Sequence, residues 1–586
     1  MAGLGLFALL YVISLFLYLS NKTAMPSIDT IPARYLSLSL LRDGDLNLDE
    51  YREQKKEFGI QAAREYNGHL LSDFPIGAAF FGAPYYALGQ LAGLQPEGAG
   101  MIWLEKWAAA NTMALASALF WFMLRKTRAS FPARLIVWLV FAFGSSNWVP
   151  CSQGLWQHGP AEFFAILALL AWPDADGKWR RGYLTLSGIF LGLSVMMRPT
   201  MAVLLPVWLV VSFYKDRKGS LYFLMGAVIG LLPLLWYQLH YFGSLVGGYF
   251  LLIKQGQYFT RFRPLYFLAA HLFAPSRGLF VFTPFFILAP LSFLRRLRPF
   301  RPRIYHGYLW GFSALALGCV VISYRKWWSG YGYGPRYWSD LLPFLCLVSL
   351  PAVEWLRKHW WGILVVGILG VWSIMVQGLG AWRYDGGWDD AVKVDKNPQA
   401  CWNLHDNTIF FCITGGVSHR KMKDSIESYT LPPGGLETGK PENSHFFHSG
   451  FFPQEPWGIW SRAHYPAIIL FHIPEKKEGK LLFILAASSV QTSPKILRFK
   501  INGRFIGDYR FKNDSMEQRK TELCVVDVPA QYLTGGLEKL KITCSEGTFL
   551  GPGFSRFFGF ALYKFGWVSN ETFEQIRQQL ENPPPK

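Results

Sequence analysis

Positive charge set among glycines and aromatic rings marks the residues of this chain best suited to chemistry. Arg336 stands in Gly334-Pro335-Arg336-Tyr337, just after Tyr333; Arg277 stands in Pro275-Ser276-Arg277-Gly278; Arg198 stands in Met197-Arg198-Pro199-Thr200; Arg325 and Lys326 fall between Tyr324 and Trp327. A guanidinium offers a planar fork of donors that fits a phosphate, and a neighbouring glycine lets backbone approach closely. The competing role is anchoring, in which Trp and Tyr rings and snorkelling cations occupy the headgroup zone of a bilayer. Asp29 is followed by Pro32, a helix-start signal, and a carboxylate at a helix N-terminus is favoured as an anion and so as a base. Its plainer role is capping. Arg34, on the same short helix, is placed to orient Asp29 or a phosphate. His158, in Trp156-Gln157-His158-Gly159-Pro160, shares a helix face with Glu162 four residues on, either as part of a site or as a simple polar pair. The acidic stretch from Asp43 to Glu50 has calcium-loop spacing at first sight, but its sixth position is Leu48 and its twelfth Gln54, so it reads as a solvated turn.

The elements that must position these residues are apolar. Of the 586 residues 51% are hydrophobic and only 17% charged, against about 25% in soluble domains, and the deficit lies before Gln377. Apolar runs near residues 3–20, 101–124, 133–150, 160–172, 182–197, 200–214, 220–240, 279–294, 304–322, 339–356 and 360–378 give about eleven transmembrane helices. Basic residues fill every second connection: Arg125, Lys126, Arg128 and Arg134; Lys178, Arg180 and Arg181; Lys215, Arg217 and Lys218; Arg295, Arg296, Arg298, Arg301 and Arg303; Arg357 and Lys358. That alternation puts these loops in the cytoplasm. It accounts for the net charge of +19 by an anionic membrane surface, with no nucleic acid as partner. The first run, 4–19, lacks a preceding basic residue and a small-residue cleavage site, and reads as a retained helix. The run 75–94 would invert every later loop if it crossed, so it reads as a pair of short membrane-surface or re-entrant helices. The outer face then holds residues 21–100, 151–159, 241–278 and 324–337.

Beyond Gln377 the pattern changes to period two. Ala467, Ile469, Phe471 and Ile473 alternate, as do Leu497, Phe499 and Ile501 up to the hairpin signal Asn502-Gly503, and Leu540, Ile542 and Cys544. Short strands without a long amphipathic helix predict an all-β, jelly-roll-like sandwich over 379–586, outside the membrane, after a membrane domain of 1–378. Cys401 with Cys412, or Cys524 with Cys544, are within reach of pairing in that compartment, and the spacing does not decide it.

In chain order these features resemble the GT-C class of membrane glycosyltransferases, the superfamily of protein O-mannosyltransferases and lipid A aminoarabinose transferases, in its bacterial form with a C-terminal β-sandwich. The resemblance rests on one span followed by an acidic outer loop (Asp29), Leu155 to Pro160, Arg198-Pro199-Thr200, Ser276-Arg277-Gly278-Leu279 and Gly334 to Tyr337. Glu455 to Ser461 and Arg556 to Phe560 serve as landmarks of the appended domain. It implies an inverting glycosyltransferase of the bacterial inner membrane, taking a sugar from a polyprenyl-phosphate donor to a hydroxyl of a glycan, lipid or protein acceptor. Asp29 and His158 would be catalytic; Arg198, Arg277, Lys326 and Arg336 would hold the donor phosphate; Arg34, Gln157, Glu162, Tyr333 and Tyr337 would support them. The resemblance fixes no cofactor. A divalent metal is compatible with the class, although Thr30 stands here where many relatives have a second acid. The other readings are a non-catalytic lipid-linked glycan carrier or flippase, which needs no fixed base, and a structural partner in the cell envelope.

Overall fold

The computed structural model describes residues 2–21, 24–25, 27, 29–53, 55, 60, 62–96, 99–173, 180–247, 264–294, 304–324, 326–384, 386–413, 429–432, 435–452, 454–462, 466–473, 476–487, 496–511, 521–544 and 558–574. Lys178, the basic stretch 295–303, Arg325, Arg556 and the middle of the long outer loop lie outside the described residues.

The first part of the chain is helical. Its elements are α1 (Ala2–Leu19), α2 (Ile31–Arg42), α3 (Gly77–Leu91), α4 (Ala99–Arg125), α5 (Phe131–Phe143), α6 (His158–Ala171), α7 (Arg180–Met197), α8 (Leu204–Lys215), α9 (Arg217–Phe242), α10 (Pro264–Phe273), α11 (Leu279–Phe282), α12 (Leu288–Leu291), α13 (Ile304–Ile322), α14 (Leu342–Leu356), α15 (Trp360–Arg383), α16 (Gly387–Val392) and α17 (Thr408–Ile413). Proline at the first turn of α2, α5 and α14 starts those helices where an N–H would be unpaired in any case. Gly243, in the left-handed region at φ 61°, ends α9.

All eleven apolar runs are helical over most of their length. Among the described residues four helical stretches, Gly100–Arg125, Arg217–Phe242, Arg336–Leu356 and Trp360–Arg383, are long and apolar enough to cross a membrane by themselves. The run 279–294 is broken into α11, a 3-10 turn and α12. The run 75–94 differs from expectation: it forms one helix, α3, with Pro84 inside it, and not a pair. Proline removes a single ladder bond, and packing of α3 against α2 and α4 holds the helix together across it.

α7 and α9 pack most intimately, and glycine makes that possible. A Cβ on Gly188 or Gly192 would meet the α9 backbone at 2.1 and 2.4 Å, and one on Gly226 or Gly230 would meet the α7 backbone at 2.0 and 2.2 Å. These are two facing Gly-x-x-x-Gly pairs, the small-residue contact of bilayer helices. In the first outer segment, β1 (Ala63–Tyr66) and β2 (His69–Ser72) form a hairpin over Asn67-Gly68. Asp49 ties the preceding acidic turn to it, accepting the Leu70 N–H at 2.6 Å, facing His69 Nδ1 at 2.6 Å and pairing with Arg52 at 2.7 Å. These contacts give the turn a structural role.

The C-terminal region is β-sheet, with β3 (Leu436–Glu437), β4 (Phe447–Ser449), β5 (Ile459–Arg462), β6 (Ala467–His472), β7 (Gly479–Ala487), β8 (Ile496–Ile501), β9 (Arg504–Arg510), β10 (Glu522–Val528), β11 (Leu537–Cys544) and β12 (Phe558–Ser569). One sheet runs β10-β7-β12-β3 with β5 also on β12, and the other runs β4-β6-β11-β8-β9. The predicted hairpin is present: Ile501 faces Arg504, and Asn502 and Gly503 take φ 49° and 86°, as a two-residue primed turn requires. Phe471 meets Phe565, and Phe483 meets Phe499, across the two sheets at ring distances of 5.3 and 5.1 Å. All seven cysteines are free thiols, with Cys524 on β10 of one sheet and Cys544 on β11 of the other.

The compositional step near Gln377 precedes the change of core. α15 continues to Arg383, and Trp388, Val392, Val394, Cys401, Ile409, Phe411 and Cys412 belong to the hydrophobic core of the helical part. The sheet core begins at Tyr429.

Candidate active site

Arg336 opens a 3-10 turn, Arg336–Leu341, that leads into α14. The loop before it is shaped by Gly330 and Gly334, at φ 66° and 69°, with Ser329 also left-handed at 57°. A Cβ on Gly334 would strike the Phe282 ring at 2.7 Å. This loop sets the Arg336 guanidinium over the face of Trp156, 4.5 Å from the ring centroid, and beside Tyr337 at 5.7 Å. Arg336 is only 9% exposed, yet its Nε and Nη1 have no hydrogen-bond partner. Its nearest carboxylate is Asp29, with Nη1 3.7 Å from Oδ2. Leaving a buried donor unmade costs about 1–3 kcal/mol, more when it is charged, so this guanidinium is poised for an anionic ligand.

Asp29 is half-buried at the entry to α2. Thr30, not Asp29, is the N-cap, and no side-chain capping bond forms; the Asp29 N–H donates to Ser27 Oγ at 3.1 Å. The capping role is therefore not the one Asp29 fills, and its carboxylate faces Arg336. The donor set does not fit a divalent metal there: the carboxylate faces a guanidinium, and among the described residues no group of three His, Cys, Asp or Glu side chains converges.

One turn after Arg336 stands Asp340, which sequence reasoning passes over. Buried at 2% exposure, it accepts from Arg198 Nε at 2.5 Å and from Thr200 Oγ1 at 3.2 Å, and faces His158 Nδ1 at 2.8 Å. It lies within an apolar run, where a lone acid is costly unless paired, and that cost was the signal available in the sequence. His158, Arg198 and Asp340 thus form one buried network, joined to Arg336 through a single 3-10 turn. Glu162 does not pair with His158; its carboxyl faces the Cys151 thiol at 3.9 Å, and its second oxygen is unpartnered. Gln157 is buried, with its amide oxygen likewise unpartnered.

The remaining expected residues fall elsewhere. Arg34 is not turned toward Asp29: it is buried against Glu105, with Nη2 and Nε at 2.5 and 3.1 Å from one carboxylate oxygen, and it also donates to Pro96 O at 3.3 Å. Burial works against its charge, but the Glu105 carboxylate holds its pKa above the ordinary arginine value. Arg277 is 1% exposed and engaged by Trp328 O at 2.8 Å, Ser276 O at 2.8 Å, Gly330 O at 3.3 Å and Asp389 at 2.5 Å. Burial again opposes its charge, and Asp389 reverses the effect, keeping its pKa raised. The phosphate role expected of Arg277 has little donor capacity left for it. Tyr333 is a packing residue, donating to Val376 O at 2.8 Å and lying so close to Gly380 that a Cβ there would sit 2.2 Å from its ring. Tyr337 packs on Tyr324 at 4.7 Å, and Lys326 is exposed.

No family model matches the chain, and no curated protein matches it. Among solved structures it is similar to ArnT from Cupriavidus metallidurans bound to undecaprenyl phosphate, at 15% identity over 76% of this chain and 83% of that one, with a TM-score of 0.42. It is also similar to an oligosaccharyltransferase from Archaeoglobus fulgidus, at 14% identity over 70% and 59% of the two chains and a TM-score of 0.40. A third is the arabinosyltransferase EmbB from Mycobacterium smegmatis, at 11% identity over 97% and 65% and a TM-score of 0.30.

Proposed function

We propose that the chain is an inverting membrane glycosyltransferase of the GT-C class, which moves a sugar from a polyprenyl-phosphate donor to an acceptor hydroxyl at the outer face of a bacterial inner membrane. The observation that carries this reading is the Arg336 guanidinium: buried, stacked on Trp156, with two unpartnered nitrogens and Asp29 at 3.7 Å. In the proposed cycle the donor phosphate takes the guanidinium and releases Asp29 from it. Asp29 then accepts the proton of the acceptor hydroxyl, whose oxygen attacks the anomeric carbon. The bond from that carbon to the phosphate oxygen breaks, and the departing electron pair stays on the phosphate. Arg336 stabilises the charge that develops there, so no acid is needed. The His158–Asp340–Arg198 network fixes the 3-10 turn that carries Arg336. About eleven helices cross the membrane in this reading, some of them short or broken. The two C-terminal sheets form an extracytoplasmic sandwich whose core, among the described residues, starts at Tyr429, beyond the boundary expected from composition.

The test is turnover by purified protein in detergent with a panel of glycosyl polyprenyl phosphates and a membrane extract as acceptor source. Release of free polyprenyl phosphate from one donor, and its loss in Asp29→Asn, is the expected result. A protein that binds these lipids and releases none of them would overturn the enzyme reading in favour of a carrier.

A further inference from the structure

Asp389, the partner of Arg277, has no part in the proposed cycle, yet like Asp340 it has three hydrogen-bonding partners. It is fully buried on α16, just beyond α15. One oxygen accepts from Arg277 at 2.5 Å; the other accepts the Gly332 N–H at 3.0 Å and the Tyr384 hydroxyl. Arg277 in turn donates to Trp328 O and Gly330 O. The pair therefore grips the loop 328–332 at three backbone points, the last of them four residues before Arg336, and the loop holds Ser329, a non-glycine residue, in the left-handed region at φ 57°. Gly330 lies against Arg336: a Cβ there would sit 3.4 Å from Nη2. α16 also packs against β4 of the second sheet.

We infer that Asp389 is a positioning residue which, with Arg277, clips the 328–332 loop so that Arg336 is presented to an anionic headgroup, and that the segment leading to the C-terminal sheets sets the site through this clip. The inference rests on Arg336 as the phosphate site. It also gives Arg277 a role opposite to direct phosphate binding. If Arg277 bound phosphate itself, Asp389 would compete for it, and removing the charge of Asp389 would tighten binding. If the pair is a clip, removing that charge loosens the loop and weakens binding.

The experiment measures the Kd of undecaprenyl phosphate for the purified full chain by native mass spectrometry, alongside the melting temperature. Asp389→Asn is expected to raise Kd about tenfold, the scale of one charge-assisted hydrogen bond. Asp406→Asn is the control from the same segment. Asp406 accepts the Trp388 indole N–H at 2.9 Å, and an amide oxygen keeps that bond, so its Kd should stay at the wild-type value. Asp389→Glu, which keeps the charge but displaces the carboxylate from Gly332 by one methylene, serves if the amide variant does not fold, and its Kd should rise too. A Kd that tightens or stays unchanged in a folded Asp389 variant overturns the clip, as does an equal rise in Asp406→Asn. Unchanged binding in Arg336→Ala overturns the phosphate reading itself and the clip with it. Lost binding in Arg336→Ala with unchanged binding in Asp389→Asn removes the clip alone.

Discussion

Arg336 and Arg277 share a residue type and a glycine-containing turn beside an apolar run, and the sequence offers no means of telling them apart. Their surroundings separate them: Arg277 spends its donors on three carbonyls and Asp389, while Arg336 keeps Nε and Nη1 unused. Partner count is a property of tertiary structure, so it was not legible in local motifs. Arg336→Ala should weaken undecaprenyl phosphate binding by at least tenfold, because a hydrogen bond to a charged group is worth about 1.5–3 kcal/mol; a Kd within twofold of wild type would show that the phosphate sits elsewhere. Asp29→Asn keeps the size of the side chain and removes the proton acceptor, so transfer should fall by about 10²–10⁴-fold while lipid still binds. A variant that transfers at the wild-type rate would remove Asp29 from the chemistry. Asp29 was legible because a proline-marked helix start follows a span. Asp340 was not, because its partners Arg198 and His158 lie more than a hundred residues away.

At the scale of elements, periodicity predicted the helical runs and the strand alternation, and it failed where packing decides. The facing glycines of α7 and α9 are one such place. Gly226→Ala adds a methyl 2.0 Å from a backbone oxygen of α7 and should lower the melting temperature, since overpacking typically costs about 1–3 kcal/mol. Gly367→Ala, in open space on α15, should leave stability unchanged or raise it by up to about 1 kcal/mol through helix propensity; equal effects at both positions would contradict the packing account. The acidic turn of the first outer segment offers a pH test. Partial burial pushes the Asp49 pKa up, but the Leu70 N–H, His69 and Arg52 outweigh it and hold it below the ordinary carboxylate value. A depressed folded-state pKa gives stability that is present above the unfolded value, about 3.9, and is lost as pH falls through the folded one. Hydrogen exchange at Leu70 should therefore quicken in acid below about pH 4, and the acid step should vanish in Asp49→Asn; an identical acid step in that variant would assign it to another group.

On the scale of the whole molecule, the alternation of basic loops is the basis of the proposed orientation, since among the described residues helices long enough to cross a bilayer number four while the apolar runs number eleven. The placement of the segment 387–413 in the helical core was hidden from composition, because its Asp, Lys and Asn residues read as soluble while Trp388, Cys401 and Phe411 carry the packing. The proposed topology predicts that a cysteine placed at position 404, which is exposed, reacts with an impermeant thiol reagent in intact cells; protection there with reaction after lysis would reverse the orientation. The central claim, that Arg336 holds the phosphate of a lipid-linked sugar and Asp29 consumes it, is tested most directly by identifying the lipid that each purified protein retains by mass spectrometry. The account predicts a glycosyl polyprenyl phosphate enriched on Asp29→Asn relative to wild type, and lost from Arg336→Ala. The same lipid at the same occupancy on all three proteins would contradict it.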